Sequence, residues 1–294
     1  METKKHALIT GATSGIGYEL AKLLAKDGYN LILVARNEDN LKQTASEMEQ
    51  LNSGIHTHII PADLFESDAA QKVYDKTTEL GITVNVLVND AGQGEWGRFT
   101  KTDLEREIDI VQLNIISLLS LTKFYLKEMV ARNEGRILQL ASSASKIPSP
   151  YLSVYAATKA FVLSFTEALA DELKETEVSI TALQPGATDT DFFHKAKAEN
   201  TVTYKESDLY TAEEVAKAGY EALMSGTTVV SPGFMNKAQK AMNTMLPDSA
   251  IASTMEKQME SSMKEDGRLE SSHPASKRER SSINAKREGV NGDY

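Results

Sequence analysis

No cysteine occurs in the 294 residues, which excludes disulfides, thiolate metal sites and a cysteine nucleophile and fits the cytoplasm. A surplus of basic charge is absent as well. Lys and Arg number 32 against 42 Asp and Glu, a formal net charge of −10. The concentrated positive surface of a general nucleic-acid binder is therefore excluded, and any bound phosphate must be met by local groups. Long apolar runs are missing too. The segment after Met1-Glu-Thr-Lys-Lys-His ends at Thr10-Gly11, too short for the apolar region of a secretion signal. The most apolar stretch, residues 113–126, carries Asn114, Thr122 and Lys123 and falls short of a membrane span. It is expected to be a buried helix, and the protein is expected to be cytoplasmic.

What is present is ordinary for a folded soluble chain: 41% hydrophobic and 25% charged residues, enough length for one large α/β domain or two smaller ones. Short apolar or β-branched runs recur at 6–10, 30–35, 55–61, 84–88, 135–141, 178–184 and 227–230. Between them, residues 15–27, 39–51, 67–80, 103–132, 154–175 and 211–224 show helical periodicity. This alternation predicts a doubly wound parallel α/β sheet of about seven strands, helices on both faces, over residues 1–231. Past Pro232-Gly233 the character changes. Six of the ten methionines fall between Met235 and Met263, in one or two weakly amphipathic helices at 232–261 expected to pack on the main domain. They either line a substrate mouth or a subunit contact, or fill gaps in a core. Residues 262–294 are polar and expected to be disordered, with the basic run Lys277-Arg278-Glu279-Arg280 interrupted by an acid and read as solvated tail.

Directly after the first expected strand stands Thr10-Gly11-Ala12-Thr13-Ser14-Gly15-Ile16-Gly17. Glycines at a strand-to-helix turn let the backbone approach a pyrophosphate, whose charge then sits at the helix N-terminus. The second strand ends Leu33-Val34-Ala35-Arg36, with no acid for a free ribose 2′-hydroxyl and a guanidinium suited to a 2′-phosphate. NADP rather than NAD is expected, unless Glu38 or Asp39 turns back to the ribose. Asp63, after the third strand, is either an adenine contact or a turn residue. Tyr155 and Lys159 are four residues apart, so a helix places phenol and ammonium on one face; Ser142 lies thirteen residues upstream. A second Tyr-x-x-x-Lys, Tyr18 with Lys22, has no such serine and lies behind the glycine-rich turn.

Together these residues resemble the short-chain dehydrogenase/reductase family over about residues 5–231. The chain looks like that family in Thr10 to Gly17, Asn89-Asp90-Ala91-Gly92, Asn114, Ser142 with Tyr155 and Lys159, and Pro185-Gly186-Ala-Thr188-Asp-Thr190. The resemblance implies a Rossmann-type fold and an oxidoreductase in which Tyr155 is the general acid/base and Ser142 holds the substrate oxygen. Lys159 would bind the nicotinamide ribose and lower the Tyr155 pKa, and Asn114 would anchor a water-mediated proton path. Cofactor contacts are implied for Gly11, Thr13, Ser14, Gly15, Ile16, Gly17, Arg36, Asp63, Asn89, Ala91, Gly92, Tyr155, Lys159, Pro185, Gly186, Thr188 and Thr190. Where the family usually has two asparagines this chain has Asn89-Asp90, a carboxylate that would need donors or a raised pKa if buried.

The expected reaction interconverts a carbonyl compound, of lipophilic character, and an alcohol. The alternatives are an NAD-linked dehydrogenase of the same fold and a nucleotide-sensing protein without turnover, against which the full Ser-Tyr-Lys set weighs. Residues 187–210 show no regular pattern and read as a substrate lid. His56 and His58 alternate along the third strand and would share a face, but no third ligand is evident and no metal is expected. By the same resemblance, pairing through residues 103–132 and 154–175 to a homodimer or homotetramer is expected.

Overall fold

The computed structural model describes residues 4–206, 209–233 and 248–260. Among them, seven strands form one parallel sheet: β1 (His6–Thr10), β2 (Asn30–Ala35), β3 (Thr57–Pro61), β4 (Val84–Asn89), β5 (Gly135–Leu140), β6 (Val178–Leu183) and β9 (Val229–Val230). Their spatial order is β3-β2-β1-β4-β5-β6-β9. The order reverses between β1 and β4, and such a switch point leaves a crevice beyond the carboxyl ends of the strands.

Both faces of the sheet are buried, which is why its strands read as continuous apolar runs rather than alternating ones. On one face, α1 (Gly15–Lys26), α2 (Glu38–Leu51) and α9 (Ala212–Ser225) cover Ile9, Leu31, Leu33 and Val86. On the other, α3 (Ala69–Glu79), α5 (Leu118–Arg132) and α6 (Ser153–Glu172) cover Leu8, Ile32, Leu87, Ile137 and the Ala141–Ala182 region. The expected strands and helices are all present, with ends moved by one to three residues. The third strand starts at Thr57, so His56 lies before it, exposed, and does not share a strand face with His58. Among the described residues no cluster of three or more metal-ligating side chains exists.

The segment expected to be helical at 103–132 is one continuous helix over Leu104–Arg132 that contains a π-helical turn. α4 (Leu104–Val111) passes into a π-helical turn at Gln112–Ser117 and then into α5. As one 29-residue rod it meets the length and composition of a membrane span, which the shorter stretch in the sequence did not. Leu113, Leu121, Tyr125 and Met129 on its inner side are nonetheless packed into the core.

The described residues of the segment expected to be irregular form short regular elements. β7 (Thr188–Asp189) pairs in parallel with β8 (Tyr210–Thr211), and α7 (Phe192–Lys195) and α8 (Val202–Glu206) lie between them. Phe193, Ala196 and Ala198 form a small core of their own with Trp96. Of the methionine-rich extension, helix α10 (Asp248–Met259) is described; residues 234–247 and the polar tail from 262 lie outside the described residues.

Candidate active site

A cavity of about 1100 Å³ runs along the carboxyl ends of the strands. Its middle is the glycine-rich turn. Buried Thr10 at the end of β1 accepts hydrogen bonds through Oγ1 from the backbone N–H groups of Asp90 and Ala91, 3.1 Å each, so the turn is sewn to the loop after β4. Gly15 has φ +58°, a left-handed conformation that favours glycine, and a Cβ on Gly17 would stand 2.6 Å from both Asp90 Oδ2 and the Gly11 carbonyl. The turn thus folds tightly enough for Ser14, Gly15 and Ile16 to line the cavity at the positive end of α1.

The β2 and β3 side of the sheet supplies one end. Arg36 lines it, its guanidinium 5.5 Å from the Phe65 ring centroid, while Arg106 lies 5.4 Å from the same ring. Asn37 and Asn40 line the same end, and the Asn37 side chain accepts from the Asn40 N–H, so it also caps α2. Asp63 is at the cavity wall and accepts from the Phe65 N–H at 3.2 Å, so the turn role and a cavity-facing role coexist. No carboxylate from Glu38 or Asp39 lines this end; Glu38 pairs with Lys42 instead.

The β5 and β6 side supplies the other end, where Ser142, Tyr155 and Lys159 come together. Ser142 follows β5, and its Oγ accepts from the Ala144 N–H at 3.1 Å, tying it to the short 3₁₀ turn Ser143–Lys146. Tyr155 sits in the first turn of α6 and is hydrogen-bonded to Ser142. Lys159, one turn on, is 3% exposed; its Nζ donates to the Leu140 carbonyl at 2.6 Å and lies 5.7 Å from the Tyr155 ring centroid. Burial pushes the Tyr155 phenol up to about 12, with the Ser142 hydrogen bond opposing. Burial lowers Lys159 to about 8, with the charge of Asp90 opposing. In the protein without cofactor, desolvation is the largest influence on the Tyr155 phenol.

Asn114 occupies the π-helical turn and does not line the cavity. Its Nδ2 donates to the Gln93 carbonyl and to Thr158 Oγ1, both at 2.9 Å, and its Oδ1 accepts from the Gln93 N–H. Thr158 Oγ1 in turn donates to the Tyr155 carbonyl at 2.7 Å. The side chain thereby holds the loop after β4 against the first turn of α6.

Of the other expected contacts, Gly11, Thr13, Ala91, Gly92, Pro185, Gly186, Thr188 and Thr190 line the cavity. Asn89 does not. Its Nδ2 donates to Thr122 Oγ1 and Gln139 Oε1, because strand alternation turns it toward α5 rather than the crevice. Gly17 closes on Asp90, and Lys159 lies beneath Tyr155.

Asp90 is the unusual group. It lies at the cavity wall under the glycine-rich turn, accepts from the Gly17 N–H, and its buried Oδ1 has no hydrogen-bond partner. Burial raises its carboxyl to about 7, with Lys159 the main opposing influence.

The sequence did not single out Gln93, Thr158 or Phe65, while Phe192 lies in the segment read as a lid and the α10 methionines in the helices read as lining a substrate mouth or filling a core. Phe192 packs at 4.8 Å from the Tyr155 ring, and Met255 and Met259 line the cavity from α10. Only the placement of the lid and of α10 in space brings these residues in.

A family model described as short chain dehydrogenase matches residues 5–201. The chain belongs to that family. Similar proteins include a very-long-chain 3-oxoacyl-CoA reductase of Mycosarcoma maydis, 36% identical over 60% of this chain and 51% of the relative. A dehydrogenase/reductase SDR family protein 7-like of Anopheles gambiae is 30% identical over 71% of this chain and 67% of its own. This short-chain dehydrogenase thus spans about half the length of the fungal reductase it matches. Among solved structures, a short-chain dehydrogenase from Sphingobium yanoikuyae in complex with NADPH superposes with TM-score 0.73 at 26% identity, covering 83% of this chain and 96% of that one.

Proposed function

We propose that this short-chain dehydrogenase is an NADP(H)-dependent oxidoreductase that interconverts a lipophilic carbonyl compound and its alcohol. The observation that carries the reading is the meeting of Ser142, Tyr155 and Lys159 at one end of a cavity whose other end presents Arg36 with neither Glu38 nor Asp39 turned back to it. The residues fit a dinucleotide: the Gly17 cradle, which a Cβ would fill, brings backbone to the cavity at the N-terminus of α1. Gly11 to Ile16 would hold the pyrophosphate, Arg36 the 2′-phosphate, and Pro185 to Thr190 the nicotinamide end. When bound, reduced nicotinamide supplies the hydride.

The chain's own groups do the rest. Tyr155, held protonated at neutral pH by its burial, donates its phenolic proton to the carbonyl oxygen as that oxygen gains charge. The Ser142 hydroxyl, positioned by the 3₁₀ turn, hydrogen-bonds the same oxygen. Lys159 puts positive charge behind the phenol and stabilises the phenolate left after transfer. Asn114 and Thr158 keep the first turn of α6 in register with the loop after β4. The name of the fungal relative makes a 3-oxoacyl thioester the first member of this substrate class to assay.

Binding followed by nicotinamide fluorescence tests the cofactor assignment without a substrate. NADPH is expected to bind about 10-fold to 100-fold more tightly than NADH, the range of a charge-assisted hydrogen bond, and Arg36→Asp to remove that preference while leaving NADH affinity unchanged. Equal affinity of the unaltered protein for both would overturn the role of Arg36.

Exposed side chains on the long rod support a homo-oligomer. Leu104, Ile108, Ile116 and Leu119 are exposed along its outer side, and Phe161 and Phe165 of α6 are only partly covered. A second copy burying this face is proposed, and sedimentation at micromolar concentration is expected to show a dimer or tetramer; a monomer would refute it.

A further inference from the structure

We propose that α10, which lies beyond the segment matched by the family model, is the substrate-selecting wall of the cavity, and that it selects an unbranched apolar chain attached to the reacting carbonyl. This deepens the oxidoreductase reading and rests on it. Ile251, Met255 and Met259 recur every four residues and so share one face of the helix. Ile251 and Met259 are buried, at 5% and 4% exposure, and Met255 and Met259 line the cavity together with Gln258.

The placement of α10 is built rather than incidental. The Trp96 Nε1–H donates to the Met259 carbonyl at 2.7 Å. The Val202 N–H donates to the Glu260 carbonyl at 3.0 Å, and Thr203 Oγ1 donates to the Gln258 carbonyl at 2.9 Å. These three bonds take up carbonyls at the C-terminal end of α10, which a helix leaves without partners of its own. They also join α10 to the lid: Trp96 donates its backbone N–H to the Ala196 carbonyl and packs in the small core that contains Phe193. Phe192, next in the chain, packs on the Tyr155 ring. The reacting phenol and α10 are therefore linked through Phe192, the Phe193 core and the Trp96 hydrogen bond to Met259, and all of these segments border one cavity.

The chemistry of that wall specifies the ligand. Among the described residues, the charged side chains at the cavity are Arg36 and Asp63 at the β2–β3 end, Asp90 beneath the turn, Asp191, Lys195 and Glu214. Lys195 is paired with Asp191 at 3.5 Å, and Glu214 is taken up in capping α9. None lies on α10's cavity face. Lys159 lies behind Tyr155, does not line the cavity and donates to the Leu140 carbonyl, so a carboxylate on the α10 side would find no free cation, whereas methylene groups would find the adaptable thioethers of Met255 and Met259.

Trp96 is the one tryptophan in the chain and bonds to the wall itself, so its emission reports on the wall. The experiment titrates the full chain, loaded with NADP⁺, with straight-chain methyl ketones from pentanone to tridecanone and follows Trp96 fluorescence. Cofactor loading is checked separately with NADPH. Affinity is expected to rise about threefold to fourfold per methylene and then level off. Met255→Ala and Met259→Ala should move the levelling point to longer chains, and Met255→Phe should move it to shorter ones. Opposite shifts from opposite volume changes cannot come from loss of folding. An unchanged levelling point in folded variants would overturn α10 as the wall. NADP(H) binding without any ketone binding would overturn the apolar specificity and leave the oxidoreductase reading standing. Failure to bind NADPH would overturn that reading, and this inference with it.

Discussion

Tyr155→Phe lowers kcat for carbonyl reduction by about 10³-fold, within the range that positioned acid catalysis contributes, while NADPH affinity changes by less than about twofold. The ring that packs on Phe192 is kept, so the loss is confined to the proton and to the Ser142 hydrogen bond. Single-turnover kinetics beside NADPH titration separates the two quantities. Retained turnover in the variant would remove Tyr155 as the acid. The same site has a directional pH signature. With Tyr155 pushed up to about 12, the phenol stays protonated and reduction is not limited by its ionisation near neutrality. Lys159, lowered to about 8, loses charge as pH rises through that value, so reduction should decline above about pH 8.

Asp90→Asn stabilises the protein without cofactor at pH 8 by about 2–4 kcal/mol. The carboxyl is raised from 3.8 to about 7 by burial. A group raised on folding gives its full contribution below its unfolded value, and that contribution is lost as pH rises to the folded value. Stability should thus fall between about pH 4 and pH 7, by about 4 kcal/mol at about 1.4 kcal/mol per factor of ten. The asparagine removes that slope. It does not recover the whole amount, since an unpartnered polar atom remains buried and Lys159 loses a counter-charge. Lys159 itself titrates above this window: its folded value near 8 lies below its ordinary 10.5, so its cost is relieved only as pH rises past 8. Urea unfolding of both proteins at pH 5 and pH 8 checks the prediction. A gain equal at both pH values would show that folding does not raise the Asp90 pKa.

The strands at both faces were legible because burial on two sides forces continuous apolar runs, and the helices because one stripe of each is covered. Tyr155 with Lys159 was legible because a four-residue step is one helical turn, and the glycines because Gly17 has no room for a side chain against Asp90. Asn89 shows the limit of such reading. A motif places it beside the crevice, but only the pleat of β4 decides that it turns to Thr122 and Gln139 while Asp90 lies under the turn. Asn114 shows another. Its position in the chain says nothing of the π-helical turn that lets its side chain grip Gln93 and Thr158.

The pKa order of the catalytic residues was also beyond the sequence. Without cofactor, desolvation raises the Tyr155 phenol, and depth of burial is a property of the packed whole. The lid was called irregular because its elements are too short to show a period, two strands of two residues and helices of four and five.

The sequence by itself determined what local rules carry: alternating buried strands and helices, a glycine-rich turn at the first of them, an arginine in place of an acid at the second, and a tyrosine and lysine one turn apart. The tertiary structure alone decided which groups from distant segments meet. It set Asp90 beneath the phosphate turn, joined Asn114 to Tyr155 through Thr158, and brought Met255 and Met259 to the cavity of Tyr155 about a hundred residues away. Pairings of that kind depend on how whole layers pack, and no spacing along the chain encodes them.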